Sequence, residues 1–234
     1  MEVLGDVIAR DRRSDAPALD VLSAGRCYDY RRFCTSAWKV GNFLRHLGVR
    51  GGAGVDVADD PLPEPVLAFY GAALLGGVVR FEPGSPVADD VRALVVPQAE
   101  LDSHDVGPST KRVVYGEAPE DPSVSYFERD VWSENPTEPP DLVSPDDPLL
   151  RTAESTYSHG EVLDAAAGAV DFLSLAEGTR VAVEGSFTDP DTVAAGLVAP
   201  LLAKGTVQLG TGEDTELVVG GPRSALEDEC LLRA

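Results

Sequence analysis

Ser158, His159 and Asp164 are the residue types of a nucleophile, its base and an orienting acid. Adjacent residues on a helix point about 100° apart, so Ser158 and His159 are badly placed to share the hydrogen bond that such a triad needs. Ser158 followed by Glu161 fits a capping box, which accounts for the pair without catalysis. The glycine-rich run Arg50-Gly51-Gly52-Ala53-Gly54 invites a reading as an anion cradle, but it precedes an apolar strand pattern. Phosphate loops follow a strand and open a helix, so this run reads as a turn. Gly210 to Gly212 and Gly220-Gly221 do follow strand patterns, the latter leading through Pro222 into a short helix with Glu227, Asp228 and Glu229. Gly220 and Gly221 are therefore candidate contacts for a small ligand or nucleotide. The acid pairs Asp59-Asp60, Asp89-Asp90 and Asp189 with Asp191 lack the alternating spacing of a calcium loop and read as solvated surface. His46, on a long helix beside apolar neighbours, and His104, in a loop with Asp102 and Asp105, read as structural groups. Cys27, Cys34 and Cys230 are an odd count without a CxxC spacing, and read as small buried or half-buried thiols. No catalytic residue, metal site or cofactor follows from these patterns.

The elements carrying these residues are legible from their periodicity. Asp29 is placed to cap a helix from Tyr30 to Leu47, whose apolar residues Phe33, Ala37, Val40 and Leu44 recur at helical spacing and which Gly48 closes. A strand Val55–Val57, a helix opening at Pro61 to Pro65, and strands Val78–Phe81 and Ala93–Val96 follow. The same order returns: a helix from Ser158 to Leu175, a strand Val181–Val183, a helix opened by Pro190, and strands Thr206–Leu209 and Leu217–Val219. Val55 with Val181, Gly77 with Gly205, and Leu94 with Leu217 differ by 126, 128 and 123 positions. The prediction is an α/β fold of two successive pseudo-repeated units, residues 1–115 and 149–234, with mostly parallel sheets flanked by helices. Residues 116–148, rich in Pro and acid, read as an extended connection that Tyr126-Phe127 and Trp132 pin to the core.

The chain has 234 residues, 40 acidic against 19 basic, and a net charge of −21. That balance excludes a basic nucleic-acid binder, and 43 % hydrophobic residues suffice for a core. Only Lys39, Lys111 and Lys204 are lysines beside 16 arginines. An acidic, lysine-poor surface fits adaptation to high salt, where the Debye length shrinks to about 3 Å near 1 M. No apolar run approaches the ~18 residues of a membrane span, and the first residues lack a signal-peptide pattern, so a cytoplasmic location without membrane contact is expected.

The segment from Tyr28 through Leu47-Gly48-Val49-Arg50-Gly51-Gly52-Ala53-Gly54-Val55, and then Val66 to Val79, resembles the opening of the adenylate-forming superfamily of acyl- and aryl-CoA synthetases. Asp146-Asp147-Pro148, Tyr157-Ser158-His159, Leu175 to Val181 and Leu197 to Gly205 are similar, in order and spacing, to that family's next section. The resemblance implies two related α/β subdomains and covers only the first half of the family's large domain. It also implies a Ser/Thr/Gly-rich phosphate loop and a lysine between the Asp-Pro and Ser-His positions. Here that interval is Leu149-Leu150-Arg151-Thr152-Ala153-Glu154-Ser155-Thr156, without a glycine, and Glu154 would repel phosphate. The sequence stops at Ala234, ahead of the family's adenine- and Mg²⁺-binding segments and its C-terminal domain. The expectation is a truncated, non-catalytic homologue with no cofactor that serves as a binding or regulatory protein in a halophile cytoplasm. It would pair with itself or with a complete acyl-CoA synthetase, and apolar faces left by the absent half would be relieved either by polar substitution, as the acidic loops suggest, or by a partner. The alternatives are one subunit of a split adenylate-forming ligase and a small acyl- or nucleotide-binding module.

Overall fold

The structure, a computed structural model, describes residues 1–210, 212, 217–221, 225, 226, 231 and 232. Cys230 and the predicted helix at Glu227, Asp228 and Glu229 lie outside the described residues. Asp29 caps helix α1 (Tyr30–His46) by accepting from the Arg32 N–H at 2.6 Å, and Arg45 and His46 complement the carbonyl end of the helix. Its apolar stripe of Phe33, Ala37, Val40 and Leu44 is buried. Helix α2 (Pro63–Ala73) starts with two prolines in its first turn, where a missing N–H costs nothing, and every one of its residues is buried. It crosses α1 where Gly71 meets Gly41: a Cβ on Gly71 would lie 2.7 Å from Val40 and 2.9 Å from the Gly41 nitrogen.

Two sheets result. Strands β1 (Pro17–Val21) and β2 (Arg26–Asp29) form a hairpin ahead of α1, followed by β3 (Gly54–Val57), β4 (Val78–Phe81), β5 (Val91–Pro97), β6 (Lys111–Tyr115) and β7 (Ser125–Tyr126). A short helix α3 (Phe127–Asp130) leads on to a second hairpin, β8 (Pro148–Arg151) and β9 (Thr156–Ser158), and to α4 (His159–Phe172). After β10 (Arg180–Val183), the chain enters a helix from Pro190 to Leu202 and then strands β11 (Thr206–Leu209) and β12 (Leu217–Val219). That helix is α-helical at Pro190–Thr192 (α5) and Ala199–Leu202 (α6) and widens into a π turn over Val193–Val198. Pro200 has no N–H to donate into the turn ahead of it, which is the local reason for the widening.

The sheet orders are β7-β6-β5-β3-β4-β8-β9 and β12-β10-β11-β1-β2. Each hairpin therefore joins the sheet of the other repeat. β1 pairs parallel with β11, and β8 pairs parallel with β4, which is the counterpart of β11. Sheet membership thus crosses the sequence division at residues 115 and 149. The N-terminal arm reinforces the exchange: Tyr30 donates to the Gly205 carbonyl at 2.8 Å, and the Thr206 hydroxyl donates to the Pro17 carbonyl at 3.0 Å. The sequence pattern marks neither hairpin, nor β6, nor α3, which lies in the connection 116–148.

A line of aromatic rings joins the layers, from Phe33 through Tyr70, Phe69 and Phe81 to Phe187, with centroids 5.2 to 5.9 Å apart. In the connection 116–148, Phe127 is buried, whereas Trp132 is 68 % exposed. Trp132 thus does not enter the core; Lys39 of α1 holds it at the surface. Among the described residues, the exposed large apolar side chains are Met1, Leu22, Trp132, Leu142 and Phe172, well separated along the sequence.

Candidate functional site

The carboxyl ends of parallel strands are where open α/β sheets hold ligands, because the loops diverge there. The loop after β3 brings Asp59 to the loop after β10, where its carboxylate accepts from the Ser186 hydroxyl at 2.5 Å and from the Phe187 N–H at 2.7 Å. The Ser186 oxygen also accepts from the Thr188 N–H at 3.1 Å. A cavity of about 590 Å³ opens here between the two sheets, lined by Asp59, Pro61, Glu184, Ser186, Phe187 and Gly210. Its polar rim carries carboxylates, which disfavour a phosphate. A serine held by a carboxylate gains no base strong enough to make it a nucleophile.

Gly220 and Gly221 are not in the lining of this cleft but pack behind Gly185 and Glu184, which are. A Cβ on Gly220 would lie 2.3 Å from the Gly185 Cα, so close main-chain packing requires glycine there. A Cβ on Gly221 would meet the Glu184 side chain at 3.1 Å. The Asp59–Ser186 contact spans 127 residues and two sheets, so no local pattern announced it.

Across the first sheet, β8 and β9 are joined by a tight turn at Thr152 to Ser155. The Thr152 N–H donates to the Ser155 carbonyl at 2.8 Å, and the Thr152 hydroxyl accepts from the N–H groups of Glu154 at 3.3 Å and Ser155 at 3.1 Å. Three of the turn's four main-chain donors, those of Thr152, Glu154 and Ser155, are thus bonded within the turn and do not converge on an outside anion. Arg151, the nearest cation in sequence, is paired with Asp90 at 2.6 Å, which holds the Asp90 carboxyl below its usual range.

The remaining candidates resolve into structural roles. Ser158 and Glu161 form the reciprocal capping box, at 3.2 and 2.7 Å. His159 is fully buried and accepts from the Leu4 N–H at 3.2 Å, and burial pushes its pKa down to about 4. His46 is exposed and meets Glu134 at 2.8 Å, where apolar neighbours were expected; it lies off the helix's buried stripe. Asp60 accepts from the Tyr115 hydroxyl, Asp189 caps α5, and Asp191 accepts from the Leu232 N–H at 2.7 Å. Among the described residues, no three His, Cys, Asp or Glu side chains gather as a metal site. Cys34 is buried, with its thiol pushed up to about 12 by desolvation, and Cys27 is exposed. No described helix is long and apolar enough to cross a membrane.

Solved structures share this architecture. The chain is similar to the N-terminal domain of FACL13 from Mycobacterium tuberculosis, at 17 % identity and a TM-score of 0.70, over 90 % of this chain and 57 % of that one. The anthranilate CoA ligase AuaEII, solved with anthranoyl-AMP, matches at 22 % identity and a TM-score of 0.77, over 90 % of this chain and 45 % of that one. The nonribosomal peptide synthetase FmoA3 matches at 20 % identity and 0.71, over 88 % of this chain and 22 % of that one. No protein-family model and no curated protein sequence matches. The chain thus has the fold of the N-terminal part of adenylate-forming synthetases and spans 57 % or less of the length of each.

Proposed function

We propose that this chain is a non-catalytic relative of the adenylate-forming acyl-CoA synthetases that acts as a binding or interaction protein. The observation that carries the reading is the turn at Thr152 to Ser155, in the place where the resemblance calls for a phosphate loop, with the N–H groups of Glu154 and Ser155 bonded to the Thr152 hydroxyl. A triphosphate needs several free main-chain donors and a free cation, whereas three of the four donors here are bonded within the turn and Arg151 is paired with Asp90. The acidic rim of the cleft supports the same conclusion. A net charge of −21 with three lysines supports a salt-rich cytoplasm as the setting. Residues 1–115 and 149–234 are, on this reading, the two repeats of the fold, joined by 116–148. The partner is a second copy or a complete synthetase, and co-purification from the host at high salt separates the two. Pyrophosphate exchange with ATP and a panel of carboxylic acids, at molar KCl, tests the central claim. Exchange at the level of the blank is expected; turnover above it overturns the reading.

A second reading, a small acyl- or nucleotide-binding module, rests on the 590 Å³ cleft between the sheets. On it, Gly220 and Gly221 shape the loop that a ligand would meet. A ligand that prefers the native state raises the melting temperature, so thermal shifts with ATP, AMP, CoA and acyl-CoA decide it. A split ligase is disfavoured, because a separate distal half would not restore a phosphate loop at Thr152 to Ser155.

A further inference from the structure

Away from the cleft, one face of α1 carries Arg32, Ser36 and Lys39 at positions i, i+4 and i+7, in a chain where acids outnumber bases two to one. These three residues line a cavity of about 190 Å³. Two aromatic rings hold the cations at its ends: the Arg32 guanidinium sits 4.4 Å from the Tyr28 ring centroid, and the Lys39 ammonium 5.3 Å from that of Trp132. Lys39 also donates to the Trp132 carbonyl at 2.8 Å, which fixes the exposed indole at the rim. The floor between them is apolar, from Leu67, Phe127 and Val131.

Two carboxylates line the same cavity beside three cations, Arg26, Arg32 and Lys39. Glu64 is bound by Arg26 at 2.5 Å, and Glu128 accepts from the Gly116 N–H at 2.7 Å through one oxygen, while its other oxygen is buried without a hydrogen-bond partner. The cavity therefore presents an ammonium and a guanidinium on either side of a hydroxyl, above a hydrophobic floor.

Seven residues of α-helix rise about 10 Å. In a polyproline II segment, residues three apart lie on one side and are separated by about 9 Å. We propose that this groove docks an extended acidic segment of a partner protein, with two carboxylates three residues apart meeting Arg32 and Lys39 and an apolar side chain between them resting on the floor beside Trp132. The assignment does not depend on whether the chain adenylates a substrate.

A fluorescein-labelled peptide carrying Asp-Phe-Pro-Asp tests it by fluorescence anisotropy, against the same peptide with both acids replaced by Asn. Saturable binding of the acidic peptide below about 1 mM is expected. The Asn peptide, and the double variant Arg32→Gln with Lys39→Gln, should each bind at least about tenfold more weakly. Trp132→Ala should weaken binding while leaving circular dichroism and melting temperature unchanged, since its side chain is exposed. Absence of saturation, equal binding of the Asn peptide, or an unaffected double variant overturns the proposal. Sodium benzoate binding more tightly than the peptide would make the groove a small-molecule site and overturns it equally.

Discussion

The main-chain N–H of Leu4 donates to the Nδ1 of His159 across 155 residues of sequence, at 3.2 Å. The bond ties the Leu4–Ile8 turn of the N-terminal arm to the first residue of α4, and it requires a neutral ring with its proton on Nε2. Protonation would turn the acceptor into a second donor facing the Leu4 N–H, inside the core.

A depressed histidine pKa ties stability to pH. The folded value is about 4, set by burial and only partly offset by Asp147, against an unperturbed 6.5. Between these values the unfolded chain binds a proton that the folded one excludes, so this contribution to stability is complete above pH 6.5 and is lost as pH falls towards 4. The loss amounts to about 3 kcal/mol at most. Urea unfolding at pH 7, 5.5 and 4 should show His159→Gln, which keeps an acceptor, gaining on the native chain as pH falls. A constant difference at all three values contradicts this.

Two glycines with similar backbone angles should respond differently to a methyl group. Gly25 has φ +57° and open space around it, whereas Gly220 has φ +73° and faces the Gly185 Cα at 2.3 Å. Gly25→Ala should cost about 1 kcal/mol from the left-handed backbone alone. Gly220→Ala must also separate two main chains and should cost at least about 3 kcal/mol. Similar costs in chemical denaturation would show that the two loops are not in contact.

Tyr70 is wholly buried and donates to the Leu197 carbonyl at 2.9 Å, bridging α2 to the π turn. Tyr70→Phe removes that bond from a wholly buried setting, at a cost of about 1 kcal/mol or more. Tyr126→Phe removes a solvent-facing bond to the Gly116 carbonyl at 3.2 Å and should change stability by less than about 0.5 kcal/mol. The ratio of the two, read from denaturation midpoints, checks the bridge.

Self-repulsion from a charge of −21 should make the fold depend on salt. Because the Debye length is about 10 Å at 0.1 M and about 3 Å at 1 M, the melting temperature should climb most steeply below 1 M KCl. A flat profile over that range means that the acidic surface carries no net repulsion.

Local patterns in the sequence determined α1 and its Asp29 cap, the Ser158 capping box, the strands β3, β4, β5, β10, β11 and β12 and the glycine-free interval at Thr152 to Ser155. Each of these follows from side-chain period, cap chemistry or turn chemistry within a few residues. The exchange of hairpins between the repeats, the Asp59–Ser186 contact and the exposure of His46 were decided by the tertiary structure alone. So was the gathering of Arg26, Arg32 and Lys39 beside Trp132. A parallel pair such as β1 with β11 leaves no local signature, since its register is set by packing between residues nearly two hundred positions apart. A buried histidine and an exposed one also look alike until the core has formed around them.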